Sequence, residues 1–270
     1  MRRHLHTLTV WSAVVLFMMP IIWMFGTAFK PAGEILHSST SLLPSEVSWD
    51  SFKALWQGNI NVLIANTIIV AVSATAVSLI VAFFSAYALV RFSFPAKLDM
   101  VFLLLVLVIK MMPPIVVAIP LYSQMNTLGL LNTKLGLVLS YQVYTLPFCI
   151  WMLLGFIRDI PLEIEEAGAM DGANLVKRLA YVVFPLCAPG LVATAIFSMI
   201  LGWNEFLFSL LFIHLPDNFT IPLFISNFMT EDGTAWGELM AVGIVSSVPM
   251  LALAGYMQRY LLRGFSMGLK

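Results

Sequence analysis

Six apolar runs, at about residues 8–29, 62–90, 98–121, 135–157, 181–213 and 236–262, occupy most of this chain of 270 residues, and each is long enough to cross a bilayer with some tilt. No other feature constrains the fold as strongly. In hydrocarbon every backbone N–H and C=O must find a partner inside the protein, so runs of this kind fold as helices. The chain is 60% hydrophobic and 10% charged, against about 45–50% and 25% in ordinary soluble domains. The pattern predicts an all-α membrane protein with six transmembrane helices, read as a single transmembrane domain over residues 1–270.

An even number of crossings places both termini on one side, and the distribution of Lys and Arg chooses that side. With the N-terminus inside, Arg2, Arg3, Arg91, Lys97, Arg158, Lys177, Arg178, Arg259, Arg263 and Lys270 lie at or near the cytoplasmic face, whereas Lys30, Lys53 and Lys134 lie outside. Lys110 falls within the third run, where it is expected to be buried. Ten against three predicts cytoplasmic termini. The first run imitates a signal peptide, and Gly26-Thr27-Ala28 comes nearest to a cleavage site. It is nonetheless longer than an h-region of about 7–15 residues, so it is read as an uncleaved first helix. The outer stretch from Lys30 to Asn61, with Pro31, Gly33, Pro44 and Gly58, reads as an irregular or short-helical excursion.

Several classes of chemistry are disfavoured. The 14 basic and 14 acidic residues balance, so no global field attracts nucleic acid. Cys149 and Cys187 sit in apolar runs as small hydrophobes, and His4, His6, His37 and His214 lack ligand spacing. There is no Gly-Lys pair and hence no phosphate-binding P-loop; zinc-protease and serine-elbow signatures are also missing. A non-catalytic chain without its own metal or cofactor is expected.

The inner connection over residues 158–180 is written as structured protein. Asp159 is expected to cap a helix, with Pro161 in its first turn and Glu163, Glu165 and Glu166 near its positive end. Gly172 follows Asp171 as a left-handed C-terminal residue, and Asn174 caps a second helix that carries Lys177 and Arg178 toward Pro185. Ala167, Gly168 and Ala169 form a row of small side chains that another surface can approach closely. Local signals leave two readings open: a knob for a partner's cleft, or a solvated connector.

Glu166-Ala167-Gly168, three residues, Gly172, nine residues and Val182-Val183-Phe184-Pro185 resemble the EAA loop of ABC-importer permeases, with pattern E-A-A-x3-G-x9-I-x-L-P; Gly168, Val182 and Phe184 are departures. The likeness extends along the chain. Asn66-Thr67-Ile68-Ile69-Val70, Arg91-Phe92-Ser93-Phe94-Pro95, Pro113-Pro114, Ile119-Pro120-Leu121-Tyr122, Leu146-Pro147-Phe148, Trp203-Asn204-Glu205-Phe206 and Arg263-Gly264-Phe265 resemble the carbohydrate-uptake, maltose-type branch. The tail is shorter than is common in that branch. The resemblance implies a permease subunit in the bacterial inner membrane, forming half of an ATP-driven, binding-protein-dependent importer for a sugar or sugar derivative. It implies a second, similar permease in a heterodimer and two copies of an ABC ATPase that binds ATP and Mg. It also implies a periplasmic or lipid-anchored solute-binding protein and contact with membrane lipid. Carried over by position, Glu166, Ala167, Gly168, Asp171, Gly172 and Pro185 are the ATPase-coupling residues, on a coupling helix between the fourth and fifth membrane helices.

Polar groups within the spans supply candidates for the solute pathway. Lys110 lies 12 residues beyond Leu98, about 18 Å along a helix and so near mid-membrane; Pro113 and Pro114 then break that helix. It either meets an anionic or hydroxyl-rich solute or pairs between helices. Trp203, Asn204 and Glu205 offer the aromatic, amide and carboxylate chemistry that binds sugars, although adjacent helical positions point in different directions. Tyr141, Gln142 and Asn66 are further candidates, with interhelical hydrogen bonding as their alternative role. The competing function is an ion-coupled secondary transporter of a small polar solute, which the absence of an intramembrane Asp, Glu or His relay disfavours. Polyols, acidic sugars and sugar phosphates are the alternative cargoes.

Overall fold

The computed structural model describes residues 2–36, 41–230 and 233–267, with side chains over 6–35, 41–229 and 234–256. Of the residues singled out above, the side chains of Arg2, Arg3, His4, His37, Arg259, Arg263 and Lys270, and of the Arg263-Gly264-Phe265 tail, lie outside that set. The helices in chain order are α1 Arg2–Ala28, α2 Ala32–Leu36, α3 Asp50–Gln57, α4 Ile60–Arg91, α5 Leu98–Met111, α6 Pro114–Thr127 and α7 Lys134–Arg158. They continue as α8 Leu162–Met170, α9 Leu175–Arg178, α10 Phe184–Trp203, α11 Leu207–Phe212, α12 Ile221–Ser226 and α13 Trp236–Met267. A two-stranded ribbon, β1 Met229–Thr230 with β2 Gly233–Thr234, precedes α13.

Among the described residues, five helical stretches are long and apolar enough to cross a membrane: His6–Ala28, Ile60–Arg91, Lys134–Arg158, Leu175–Trp203 and Trp236–Tyr256. A sixth crossing exists if Pro95–Met111 and Pro114–Thr127, bent by 99° at their junction, count as one. The third run is therefore no simple span over 98–121. Met112 and Pro113 are both extended, with ψ of 138° and 129°. Each precedes a proline, whose ring excludes the helical conformation from the residue before it. Pro114 then begins α6, where its missing N–H costs nothing. The fifth run also departs from its expected extent: the helix ends at Trp203 rather than running to residue 213, and α11 follows as a separate short helix.

By its contacts the chain divides into two compact units. The first comprises Met1–Ile64 and Leu223–Leu251. The outer face of α1 is broadly apolar and exposed, as at Phe17 and Leu16. Close packing begins near its end, where a Cβ on Gly26 would strike the Leu42 carbonyl. Phe29, Trp49 and Phe52 stack within 4.8–5.6 Å of one another. The buried Lys30 ammonium donates to the Ser41 carbonyl at 2.6 Å. Ser45 donates through both its backbone N–H and its hydroxyl to Glu34, and these bonds hold that carboxyl below the usual range. A Cβ on Gly237 would collide with the Ser51 hydroxyl and one on Gly243 would crowd the Met24 sulfur, so the glycines of α13 make room for side chains of α3 and α1.

The second unit comprises Ala65–Pro222 and Ala252–Lys270. Its core joins Ala82, Phe83 and Ala86 of α4 to Leu153, Leu154 and Ile157 of α7, with Val183 and Cys187 completing it. Small residues bring the helices together: a Cβ on Gly202 would lie 3.4 Å from Ala71 of α4, and a side chain on Gly190 would enter the Phe156 ring. Removing such complementarity in a close-packed interior costs free energy in either direction of size change. Asn132, with φ of 58°, ties two connections together. Its side-chain oxygen accepts from the backbone N–H of His214 and Leu215, and its carbonyl accepts from the Asn218 amide.

Candidate functional site

The segment from α8 through α9 is a helix, a tight bend and a second helix. Asp159 does not cap α8 as expected; it closes the end of α7, and Pro161 occupies the N-cap position of α8 without a side-chain cap. The bend is a Schellman motif. Gly172 has φ of 83°, its N–H donates to the Ala169 carbonyl at 3.0 Å, and the Ala173 N–H donates to Gly168 at 3.0 Å. Asn174 then accepts from the Lys177 N–H at 3.0 Å, satisfying an orphan donor of α9.

Pro185 governs the next stretch. Proline lacks the N–H that would bond four residues back, and its ring collides with that carbonyl. The chain widens into a π-turn over Leu179–Val183, in which the Phe184 N–H donates to Leu179 five residues back. α9 thereby runs on into α10 as one helical stretch, Leu175–Trp203.

Glu166, Ala167, Asp171 and Gly172 are exposed, and Gly168 is half-buried against Val182 and Arg178. Three apolar side chains that motif reading did not single out surround the bend: Met170, Val176 and Tyr181 are 88%, 71% and 79% exposed. Among the described residues these three are large apolar side chains left open in and just after the bend segment.

The sequence reading also missed the attachment of this segment. Glu165, neighbour of the exposed Glu166, points inward and is 1% exposed. Its carboxylate accepts from Arg91 Nε at 2.6 Å and from the Tyr87 hydroxyl at 2.9 Å. Arg91 also donates through Nη2 to the carbonyls of Ile160, at 2.7 Å, and Ile157, at 3.3 Å, which close α7. An Arg ending one span and a row of Glu residues were visible as sequence, but which Glu turns inward is set by helical phase against a surface 74 residues away.

The pathway candidates do not converge. Asn66 donates to the carbonyls of Asp217 and Phe219, at 2.8 and 3.0 Å. Tyr141 shares a hydrogen bond with Ser209, and Gln142 accepts from Ser78 while donating to Ala74 and Val138. Trp203 is buried, and Asn204 is exposed with its amide turned back onto Ile200. Glu205 is buried and accepts from the backbone N–H groups of Phe208, at 3.0 Å, and Ser209, at 3.4 Å, capping α11. Lys110 is exposed in the last turn of α5 rather than buried within the chain. Its ammonium lies 5.6 Å from the centre of the Phe148 ring, on a cavity of about 400 Å³ also lined by Tyr144, Phe197 and Leu201.

Five to six helices long and apolar enough to cross a membrane, one of them a bent pair, with short exposed helices between them, define a helical membrane protein. Residues 78–267 match the family described as binding-protein-dependent transport system inner membrane component. The chain is 34% identical over 261 residues to the diacetylchitobiose uptake system permease protein DasC of Streptomyces coelicolor, covering 95% of this chain and 94% of that protein. It is 32% identical over 256 residues to the trehalose transport system permease protein SugB of Mycobacterium tuberculosis, covering 93% and 91%. Its fold resembles a chain of a bacterial ABC transporter involved in the import of the acidic polysaccharide alginate, with TM-score 0.81, 19% identity and 95% coverage of each chain. The chain belongs to the binding-protein-dependent transport system inner membrane component family. It is a non-catalytic permease subunit of an ABC importer, working with a separate ATPase and a solute-binding protein.

Proposed function

We propose that this permease carries a sugar, in the first instance a neutral disaccharide or short oligosaccharide, and that it couples to its ATPase through α8, the Gly172 bend and α9. The coupling reading rests on one observation above others. A segment stiffened by a Schellman bend presents Glu166, Ala167, Asp171 and Gly172 beside the uncovered Met170, Val176 and Tyr181. Glu166 pairs with a basic residue of the ATPase, the small residues admit its cleft, and the apolar side chains fill it. Pro185 sets the angle at which this knob joins α10. The chain forms half of the pathway beside a second, similar permease, with two ATPase copies and a periplasmic or lipid-anchored binding protein. Both termini face the cytoplasm. The cargo class is drawn from the two relatives, whose names specify diacetylchitobiose and trehalose.

Within the pathway, Lys110 is the candidate whose position supports solute contact, because it borders the aromatic-lined cavity. Asn66, Tyr141, Gln142 and Glu205 engage neighbouring groups of the chain and hold elements in place. Trp203 is packed, and Asn204 presents its surface beside the break after α10. The cation favours a second cargo reading, an acidic sugar, whose carboxylate or sulfonate it would meet.

The test is ATP hydrolysis and solute uptake by the complete complex in lipid, with binding protein loaded with each solute in turn. Stimulation by a disaccharide, abolished by Gly172→Pro, is the expected result. A Gly172→Pro complex that assembles and transports normally would sink the coupling assignment. Lys110→Met should leave uptake of a neutral cargo within about twofold while costing an acidic one at least about tenfold, the loss of one charge-assisted contact.

A further inference from the structure

We propose that the Arg91–Glu165 ion pair, seated with Tyr87 where α4, α7 and α8 meet, is the positioning element that passes displacement of the docking segment to the membrane helices. The proposal rests on the coupling role assigned above and concerns a different set of residues.

α8 is attached in an unusual way. Of its nine residues Glu165 alone is buried, while Leu162, Ile164 and Met170 are exposed. The helix is therefore not held by an apolar stripe, the ordinary means of seating an amphipathic helix. At Gly168 even an added Cβ would only reach van der Waals distance of Val182 and Arg178. Apolar contacts of that sort are non-directional and let surfaces slide. A charge-assisted hydrogen bond from Arg91 Nε at 2.6 Å is directional, and the groups around it are almost fully enclosed, at 11% and 2% side-chain exposure.

The geometry makes a three-way joint. Glu165 belongs to α8, Arg91 and Tyr87 to the end of α4, and the two carbonyls that Arg91 holds close α7. A push on the exposed side of α8 at Glu166 reaches α4 through the carboxylate and α7 through the guanidinium. Separating the pair would leave two uncompensated charges in a buried site, so the joint moves as one body. A neutral side chain at position 165 would still fill the space but would let α8 yield before α4 and α7 moved.

The measurement is solute imported per ATP hydrolysed by the complete complex in proteoliposomes, with loaded binding protein, alongside the yield of assembled complex. Glu165→Gln is expected to lower that ratio about fivefold, within the range by which mutations along a coupled network change coupling. Glu165→Asp, which keeps the charge, should restore most of it, and Tyr87→Phe, which keeps the ion pair, should lower it about twofold on the same scale. The proposal is overturned if import and hydrolysis fall together in Glu165→Gln, in proportion to complex recovered, because Glu165 then serves only stability. Should Glu165→Gln fail to assemble, Tyr87→Phe decides, and an unchanged ratio there overturns it. A normal ratio in Glu165→Gln with a transport-defective Gly172→Pro removes this joint alone; normal transport by Gly172→Pro removes the docking assignment beneath it.

Discussion

At the scale of single residues, two glycines four positions apart have opposite requirements. Gly172 sits at φ of 83°, a conformation that costs other L-residues about 1 kcal/mol or more. Gly172→Ala should lower the melting temperature of the purified complex and reduce uptake. A Cβ on Gly168 would lie 3.6 Å from Val182 and 3.8 Å from Arg178, in ordinary contact. Gly168→Ala should therefore stabilise α8 by up to about 1 kcal/mol and leave transport intact, read as a higher melting temperature with wild-type uptake. Glu205 supplies a third test. Because its carboxylate caps α11, Glu205→Ala should cost about 1–3 kcal/mol through two unsatisfied N–H groups without changing solute preference. A switch in preference with unaltered thermal stability would restore Glu205 as a solute ligand. The Trp-Asn-Glu triplet had suggested sugar chemistry from residue types, and types alone do not reveal that the carboxylate is occupied by its own backbone.

At the scale of elements, proline placement decides where helices stop. Pro113 and Pro114 force two extended residues and a 99° turn between α5 and α6. Replacing both by alanine removes a penalty of about 3 kcal/mol per proline against continuous helix, so α5 should run into α6. The expected outcome is a complex that assembles but loses uptake, with Lys110 protected from aqueous amine reagents. Full uptake would show that the break has no part in transport. The break was legible because the rule acts between adjacent residues; its angle was not, since packing of α5 against α7 and of α6 against α11 sets the direction in which the chain resumes. Asp159 shows the reverse error. Its residue type suits a helix start, but the end of α7 reaches it first.

At the scale of the whole molecule, the charge distribution makes a topological prediction. Cysteine at Lys177, in a background lacking Cys149 and Cys187, should react with a membrane-impermeant maleimide only in inverted vesicles; cysteine at Lys53 should react in intact cells. Both lysines are exposed, so access to the chain is not limiting. The opposite labelling pattern would invert the orientation and remove the docking segment from the ATPase side. By itself the sequence determined that the chain is helical and crosses a membrane, because hydrocarbon leaves the backbone no other economical solution over runs of this length. It also determined the Gly172 bend and the Asn174 cap, because those depend on residues within one or two turns. Only the tertiary structure decided that Glu165 rather than Glu166 turns inward, that Asn66 and Tyr141 are committed to neighbouring elements, and that Lys110 borders a cavity instead of lying enclosed. Such pairings join residues far apart in the chain, and local periodicity carries no record of which distant group will fill a given face.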